Sequence, residues 1–374
     1  MAACAPRDDA DSGAVPSVPD SLRRGVGDAP GLRLGAVGGS DEAAQFSGVA
    51  GAVRDRGGRI YVGDAGSSQV RVFDSTGRFV RSFGRTGTGP GEFKWLLRLA
   101  RCGPSTIATL DFSGGRFAVF SDSGALLDTY PLPAGYNNVR VVACAGGDTL
   151  IVLRDHPMTA PPQRGEVRVP AMLVRISTRG TAADTLGRYA GASFFFSRKH
   201  PAYMDVPLGP ATIAAVGARR IFVGTSDRPV VDVLAFDGRP TGTIAIDQPA
   251  RPISREQRRA ALRARVAQEP LARTRSVIER IAPELPQPAR LPFFRDLVAD
   301  DEDNVWVRTF ETFPGRDDVW VGYRPTGERF GTLLLPAALQ VTEIGRGYVL
   351  GIRRDELGVE YVELYRRTQP ADPR

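Results

Sequence analysis

The stretch from Ile60 to Phe93 alternates short β-forming runs with turn residues. The runs cover residues 60–62, 70–73 and 79–83, and Gly63-Asp64 and the segment 74–77 (Asp-Ser-Thr-Gly) separate them. Runs of this kind, bounded by Gly, Asp and Ser, are typical of short antiparallel strands joined by tight turns. One such sheet cannot bury both of its faces alone. The pattern therefore predicts several copies packed against one another.

Looser copies of this unit follow along the chain. Four of them combine an apolar run with a turn that ends in Gly, at 106–110 with 121–124, 149–153 with 177–180, 221–224 with 236–238, and 304–307 with 324–327. A final partial copy covers 347–353 and 359–366. With the first unit this makes six repeats. The 42 glycines and 29 prolines suit a chain with so many turns.

The first unit resembles the NHL repeat of six-bladed β-propellers. The likeness rests on Asp64, on the segment 69–74 (Gln-Val-Arg-Val-Phe-Asp) and on the glycine-rich tail 84–93 that ends in Glu-Phe. The segments 300–306 and 348–365 are similar to bacterial six-bladed propeller proteins of lipoprotein type, most of them uncharacterised; this likeness covers roughly residues 30–367. The resemblance implies an all-β fold, a six-bladed β-propeller.

The ends of the repeat region indicate how such a ring would close. The last repeat lacks an outer strand, whereas residues 32–37 form a strand with no repeat of its own. We therefore expect the N-terminal strand to complete the last blade, which also removes a free sheet edge. The predicted organisation is a disordered tether at residues 1–29 and a propeller at residues 30–374, with a helical insertion at 254–290.

The N-terminal residues resemble the end of a bacterial lipoprotein signal. Small residues precede Cys4, and a polar run containing Asp, Ser, Pro and Gly follows it as far as Pro30. This pattern predicts lipidation of Cys4 and a protein of the cell envelope, periplasmic or attached to the outer membrane. An ordinary tail with a chance cysteine is the alternative. Because the sequence has no run of about 18 apolar residues, only the lipid would anchor the protein to a membrane.

The other two cysteines, Cys102 and Cys144, occur at the ends of the predicted inner strands of two adjacent blades, and we expect them to share one register. A disulfide between neighbouring blades would be stable in an oxidising compartment, which agrees with export. Two buried thiols are the alternative, because inner strands can stand farther apart than the Cα limit of about 7 Å for a disulfide.

The same register indicates a basic site. Four residues before the two cysteines lie Arg98 and Arg140, and the equivalent place in the fifth blade holds Arg295. Three guanidinium groups near one mouth of the central channel would suit a carboxylate or phosphate ligand. The alternative is that these arginines pair with blade carboxylates such as Asp111 or Asp296 and hold the ring together.

Residues 192–210 interrupt the repeat rhythm. We expect this segment, which lacks strand periodicity, to fold over a channel mouth or the rim, and it contains Phe195, Arg198, His200 and Tyr203. Aromatic and cationic side chains in a long loop are typical of a recognition surface. They are equally typical of a loop that is pinned to the body of the protein.

The second interruption, residues 254–290, has a helical pattern. Ser254 and Gln257 form a capping box, Pro270 breaks the run, and a second helix is predicted over 271–281. The pair is either a lid or docking element, or a solvated hairpin packed on the rim of a blade.

Charge and histidine content limit the function. The net charge is +7, but only Lys94 and Lys199 among the 49 basic residues are lysine, and arginine is spread over every repeat. Nucleic-acid binding is therefore not favoured. With only His156 and His200, a metal site built from several imidazoles is excluded. Calcium would need converging oxygen ligands, for which the candidates are Asp64, Asp111, Asn137, Asn138, Asp296 and Glu343.

The sequence thus predicts a monomeric, non-catalytic binding propeller of the cell envelope that recognises a protein, a peptide or a small anionic ligand and needs no cofactor. A calcium-dependent hydrolase, similar to the propeller lactonases, is the alternative. Carboxylates that converge in the channel would favour metal chemistry, and converging arginines would favour anion binding.

Overall fold

The computed structural model of the chain describes residues 25–27, 29–36, 42–103, 105–132, 139–145, 149–155, 164–177, 183–200, 202–267, 269, 272–310 and 318–367. Cys4, Asn137, Asn138 and His156 lie outside the described residues.

The fold is a ring of six antiparallel sheets, or blades, formed by consecutive stretches of chain. Blade 1 contains β2 (Val49–Arg54), β3 (Ile60–Asp64), β4 (Gln69–Phe73) and β5 (Phe79–Phe83). Blade 2 contains β6 (Leu96–Arg101), β7 (Thr106–Asp111), β8 (Arg116–Ser121) and β9 (Leu126–Pro131). Blade 3 contains β10 (Val139–Cys144), β11 (Thr149–Asp155), β12 (Gly165–Ser177), β13 (Ala183–Phe196) and β14 (Tyr203–Asp205).

The second half of the ring repeats the plan. Blade 4 contains β15 (Thr212–Val216), β16 (Ile221–Thr225), β17 (Val230–Leu234) and β18 (Pro240–Ala245). Blade 5 contains β19 (Asp296–Ala299), β20 (Val305–Arg308), β21 (Asp318–Tyr323) and β22 (Arg329–Leu335). Blade 6 contains β23 (Leu339–Gly345), β24 (Tyr348–Arg354), β25 (Glu360–Arg366) and the N-terminal strand β1 (Leu32–Leu34).

The first strand of each blade lines the central channel. These inner strands contact one another in the order β2, β6, β10, β15, β19, β23 and back to β2. Blades three places apart, such as blades 2 and 5, therefore face each other across the channel. The predicted all-β, six-bladed propeller is confirmed.

The ring closes as the sequence predicts. Strand β1 pairs antiparallel with β25, with Leu32 opposite Leu364 and Leu34 opposite Val362. On the other face of this strand pair, the guanidinium of Arg33 donates to Glu363 at 2.8 Å. Because β1 comes from the N-terminus and the rest of blade 6 from the C-terminus, the two ends of the propeller are joined within one sheet.

Among the described residues, six apolar clusters form the core of the ring, one at each junction between neighbouring blades. The junction between blades 5 and 6, for example, buries Trp306 and Trp320 together with Leu339 and Tyr365. The junction that carries the closing strand buries Leu34 against Ile60 and Val362. Each blade is thus stabilised by two neighbours, which is why a single repeat could not fold alone.

The turns of the repeat are built alike in different blades. Gly77, Gly124, Gly238 and Gly327 have φ of 89°, 87°, 86° and 91°. This left-handed conformation strongly favours glycine, which explains the recurring Gly. In blade 1, Asp74 Oδ1 accepts the N–H groups of Thr76 and Arg78 at 2.9 and 3.0 Å and fixes the turn.

Blade 3 corrects one expectation. The segment 192–210 is not an irregular loop, because β13 continues to Phe196 and β14 adds a fifth strand. Phe195 pairs with Met204 and Phe196 with Tyr203. The run of three phenylalanines concealed this extension, since a continuous apolar run gives no alternation from which a strand could be read.

The helical insertion is confirmed. Helix α1 covers Arg255–Ala267 and α2 covers Ala272–Ile281, and short 3-10 helices occur at Glu42–Ala44 and Ala282–Glu284. The capping box forms, because Ser254 N–H donates to Gln257 Oε1 at 2.8 Å and Gln257 N–H donates to Ser254 Oγ at 3.1 Å.

The helical pair packs on the extension of blade 3. Ile278 and Ile281 are buried with Met204 of β14, and Arg265 donates to Asp205 at 3.0 Å. The two interruptions of the repeat rhythm therefore form one structural unit. None of the helices in the described part of the chain is long and apolar enough to cross a membrane.

Candidate functional site

The inner strands give the channel two different mouths. We call the end at which they begin, near Leu96, Val139 and Asp296, the N-mouth, and the end at which they finish, near Arg101, Cys144 and Ala299, the C-mouth. The predicted arginine site belongs to the N-mouth. A large cavity lies at the C-mouth.

Two of the three predicted arginines bind carboxylates of their own blades. Arg140 of β10 forms an ion pair with the buried Asp155. Arg295 lies 3.5 Å from Asp318, and its guanidinium carbon lies 5.3 Å from the centre of the Phe310 ring. These contacts match the structural alternative, in which the arginines hold the blades, although the acids are not the two that the sequence suggested.

Arg98 differs from the other two in its register. The N–H of Cys102 donates to Thr106 O, as the N–H of Ala145 does to Thr149 O, so Cys102 is equivalent to Ala145 and not to Cys144. In the register of the inner strands, Arg98 is therefore displaced by one residue from the position that Arg140 occupies. Its Nη1 donates to the neighbouring Leu97 carbonyl at 3.1 Å, and burial lowers the pKa of Arg98.

The predicted residues on blade 3 divide into buried and exposed groups. Phe195 is buried, whereas Tyr203 is 58% exposed and stacks on Phe196 with 5.1 Å between ring centres. The backbone N–H of Arg198 donates to Glu284, just after α2, at 3.2 Å, and the N–H of His200 donates to Ser197 Oγ within the segment at 3.0 Å. The segment is thus pinned to the helical pair, and one aromatic face stays in contact with solvent.

Cys102 and Cys144 are placed as a disulfide across the junction of blades 2 and 3. Their Cα atoms are 4.8 Å apart, which lies within the range that a disulfide can bridge. The one-residue offset between the strands thus does not prevent the contact.

The carboxylates considered for calcium do not converge. Asp64 accepts the Ser47 N–H at 2.8 Å and pairs with Arg71 at 2.9 Å. Asp111 accepts the N–H groups of Trp95 and Gly114 at 3.0 and 3.1 Å. Among the described residues, no group of three or more His, Cys, Asp and Glu side chains is placed to hold a metal ion.

The C-mouth contains a cavity of about 840 Å³. Its wall is formed by the last residues of the inner strands and the turns that follow them, and the disulfide between Cys102 and Cys144 is part of it. The polar side chains in the wall are Arg56, Arg101, Ser105, Thr106, Asp300, Asp301, Thr342, Glu343 and Tyr348. The cavity is lined by polar and apolar surface in similar amounts, and its volume lies within the range of small-molecule sites.

Glu343 and Tyr348 in this wall both have perturbed pKa values. Glu343 Oε2 accepts the Arg54 N–H at 2.9 Å and the Tyr348 hydroxyl at 3.2 Å. Burial raises the pKa of Glu343 to about 7, although Arg101 and Arg54 oppose the rise. Burial also raises the pKa of Tyr348, and the Arg54 guanidinium carbon lies 4.6 Å from the Tyr348 ring centre. Perturbed titrating groups in a cavity are typical of functional sites.

The sequence indicated this site only in part. Glu343 is among the calcium candidates in the sequence, whereas no motif or repeat position points to Arg101 or Tyr348. One signal was available for Arg101: it is the residue before Cys102, at the end of an inner strand, where a side chain can reach the channel mouth.

Comparisons with known proteins agree with this architecture. Residues 47–135 match the DUF5128 family model, described as a 6-bladed beta-propeller. No curated protein sequence matches the chain. A solved structure of a DUF4221 family member from Bacteroides vulgatus has a TM-score of 0.51 at 8% identity, covering 94% of this chain and 100% of that one.

Two proteins of known name have a lower structural similarity to this chain. Virginiamycin B lyase from Staphylococcus aureus has a TM-score of 0.43 at 10% identity, covering 90% of this chain and 87% of its own. The calcium-binding protein regucalcin from Agrobacterium tumefaciens has a TM-score of 0.42 at 10% identity, covering 87% and 97%. At these identities the likeness concerns the fold alone. The family match does not confirm the NHL family. The fold of the chain is a six-bladed β-propeller.

Proposed function

We propose that this protein is a non-catalytic binding propeller of the cell envelope and that it binds a small charged ligand in the C-mouth cavity. One observation carries the proposal: the cavity of about 840 Å³ holds Arg101 and Glu343 in its wall. Ligand sites commonly have volumes of roughly 300–1,000 Å³ and only a few charged groups.

The state of Arg101 supports binding at this mouth. Arg101 is half-buried, and within the described residues its side chain has neither a hydrogen bond nor a carboxylate within 4.0 Å. At the N-mouth, by contrast, Arg140 and Arg295 each have an acidic partner. A guanidinium that is already paired must lose its partner before it can bind a ligand anion, so Arg101 is the better anchor.

Two features support the envelope location. Cys4 follows small residues and precedes a polar run, as in lipoprotein signals. Cys102 and Cys144 stand at bonding distance across two blades, and structural disulfides persist in oxidising compartments.

The test is thermal unfolding of the full chain with a panel of small carboxylates, phosphates, amino acids and short peptides. A ligand at about 100 times its Kd stabilises the native state by roughly 2.7 kcal/mol. We expect at least one such shift, and we expect Arg101→Gln to abolish it. The matched control is Arg78→Gln, which changes an arginine that is 83% exposed on the outer part of blade 1.

A variant at the opposite mouth separates the two locations. If a ligand shift persists in Arg101→Gln and disappears in Arg98→Gln, the ligand binds at the N-mouth and the proposed site is wrong. If no member of the panel shifts the unfolding temperature, small-ligand binding is rejected and a protein partner becomes the better account.

A further inference from the structure

We infer that the C-mouth cavity binds a zwitterionic ligand, a short peptide with free termini, whose carboxylate lies against blades 1 and 2 and whose ammonium lies against blades 5 and 6. This inference rests on the proposed function and adds the chemical class and the orientation of the ligand.

The distribution of charge around the cavity is the main evidence. Its two cationic side chains are Arg56, in the turn after β2 of blade 1, and Arg101, the last residue of β6 in blade 2. Its carboxylates are Asp300 and Asp301, in the turn after β19 of blade 5, and Glu343 of β23 in blade 6. Blade 2 faces blade 5 across the ring, so Arg101 lies opposite Asp300 and Asp301, whereas Glu343 lies in blade 6, beside blade 1, within range of the charge of Arg101. The cations thus belong to blades 1 and 2 and the carboxylates to blades 5 and 6.

The cationic wall is free to bind an anion. Neither Arg56 nor Arg101 donates a hydrogen bond from its side chain to any group that the structure describes. Arg54 of β2 differs because its guanidinium lies over the Tyr348 ring. A guanidinium in a partly apolar cavity binds a carboxylate with two parallel N–H···O bonds, which fixes direction as well as affinity.

The acidic wall has both a structural and a binding member. Asp300 is consumed by its own turn, because it accepts hydrogen bonds from Glu302, Asn304 and the Trp306 indole. Glu343 uses only Oε2, for Arg54 N–H and the Tyr348 hydroxyl, so Oε1 has no donor among the described groups. An ammonium group supplies the missing donor. Asp301, exposed at the rim, adds a second negative charge.

The size of the cavity agrees with this ligand class. A peptide residue extends by at most about 3.6 Å, and a space of about 840 Å³ holds a chain of a few residues. A protein terminus would present one charge to the cavity. A ligand with both termini free is complementary to a wall that has its cations on blades 1 and 2 and its carboxylates on blades 5 and 6.

The experiment uses pools of random tripeptides in four forms, with both ends free, with the amino end acetylated, with the carboxyl end amidated, and with both ends capped. Thermal unfolding and calorimetry on the full chain measure binding. We expect the free form to bind at least tenfold more tightly than either singly capped form and the doubly capped form to be weakest.

Two variants assign each end of the ligand. In Arg101→Gln, amidation should no longer weaken binding, whereas acetylation still should; in Glu343→Gln the pattern should reverse. The matched control for the second variant is Glu328→Gln, an exposed glutamate in blade 5, which should behave as the wild type.

Any other result contradicts the inference. The following results also show whether the proposed function fails with it. If the acetylated pool binds as well as the free pool and Arg101→Gln abolishes both, the cavity binds anions and only the zwitterion is wrong. The same holds if no tripeptide binds but another small molecule does so through Arg101. If neither panel binds, the proposed function and the inference fall together.

Discussion

The hydroxyl of Tyr348 donates to Glu343 Oε2 at 3.2 Å inside the wall of the C-mouth cavity. The same oxygen accepts the N–H of Arg54 from blade 1. Glu343 thus links the last blade to the first at the channel while facing the cavity. A residue in this position affects both the stability of the ring and the binding of any ligand in the cavity.

Stability should fall with rising pH because of Glu343. Its folded-state pKa is raised from 4.5 to about 7 by burial, so the unfolded chain releases this proton first as pH rises. Glu343 therefore destabilises the native state progressively between about pH 4.5 and 7. We expect Glu343→Gln to gain stability relative to wild type from pH 5 to pH 8, on the order of 2 kcal/mol, in urea unfolding. A difference that stays constant over this range would contradict the assignment; Glu328→Gln is the control.

The disulfide should stabilise the ring. Cys102 and Cys144 are 42 residues apart in sequence, and closing a loop of this length stabilises a protein by about 4 kcal/mol in the chain-entropy model. We expect the double variant Cys102→Ala/Cys144→Ala to lose a comparable amount in urea unfolding without reductant. With dithiothreitol the wild type should approach the variant. Equal stability of oxidised wild type and variant would show that the bond is not formed.

Local features of the sequence predicted the fold well. The Asp74 turn, the capping box of Ser254 and the closing strand at Leu32 all depend on neighbouring residues or on simple strand order, and all three are confirmed. The extension of blade 3 escaped prediction because the apolar run 194–196 gives no alternation. Features that depend on residues close together in the chain, or on the order of the strands, can therefore be predicted from the sequence.

The cavity could not be predicted in the same way. Arg101 and Glu343 are distant in sequence, and the charge of Arg101 acts on Glu343 only because blades 2 and 6 both flank blade 1 in the closed ring. Register irregularities add to the difficulty, since β-bulges occur between Leu96 and Arg98 and between Val341 and Glu343. Each bulge changes the side to which the following residues point, so counting along the strands places channel residues wrongly.

The N-mouth arginines should prove structural. Asp155 is 4% exposed and pairs with Arg140, whose positive charge opposes the rise that burial causes in the pKa of Asp155. Removing the arginine leaves a buried carboxylate without its cation, so we expect Arg140→Gln to cost about 2 kcal/mol, and more at pH 8 than at pH 5. Adding Asp155→Asn should restore most of the loss in urea unfolding. Ligand shifts should survive in the double variant; if they vanish while the fold is intact, the N-mouth is a binding site.

Ring closure should depend on the burial of Leu34 in strand β1. This side chain is 4% exposed and packs against Ile60 of blade 1 and Val362 of blade 6. A carboxylate here would be buried without a cation, so we expect Leu34→Asp to cost at least about 3 kcal/mol. The freed edge of β25 would also expose unpaired backbone groups and promote association, which size-exclusion chromatography measures. The same substitution at Leu357, 88% exposed in the turn before β25, should leave stability and size unchanged. If Leu34→Asp remains a monomer of wild-type stability, blade 6 is stable without its N-terminal strand and closure does not hold the ring together.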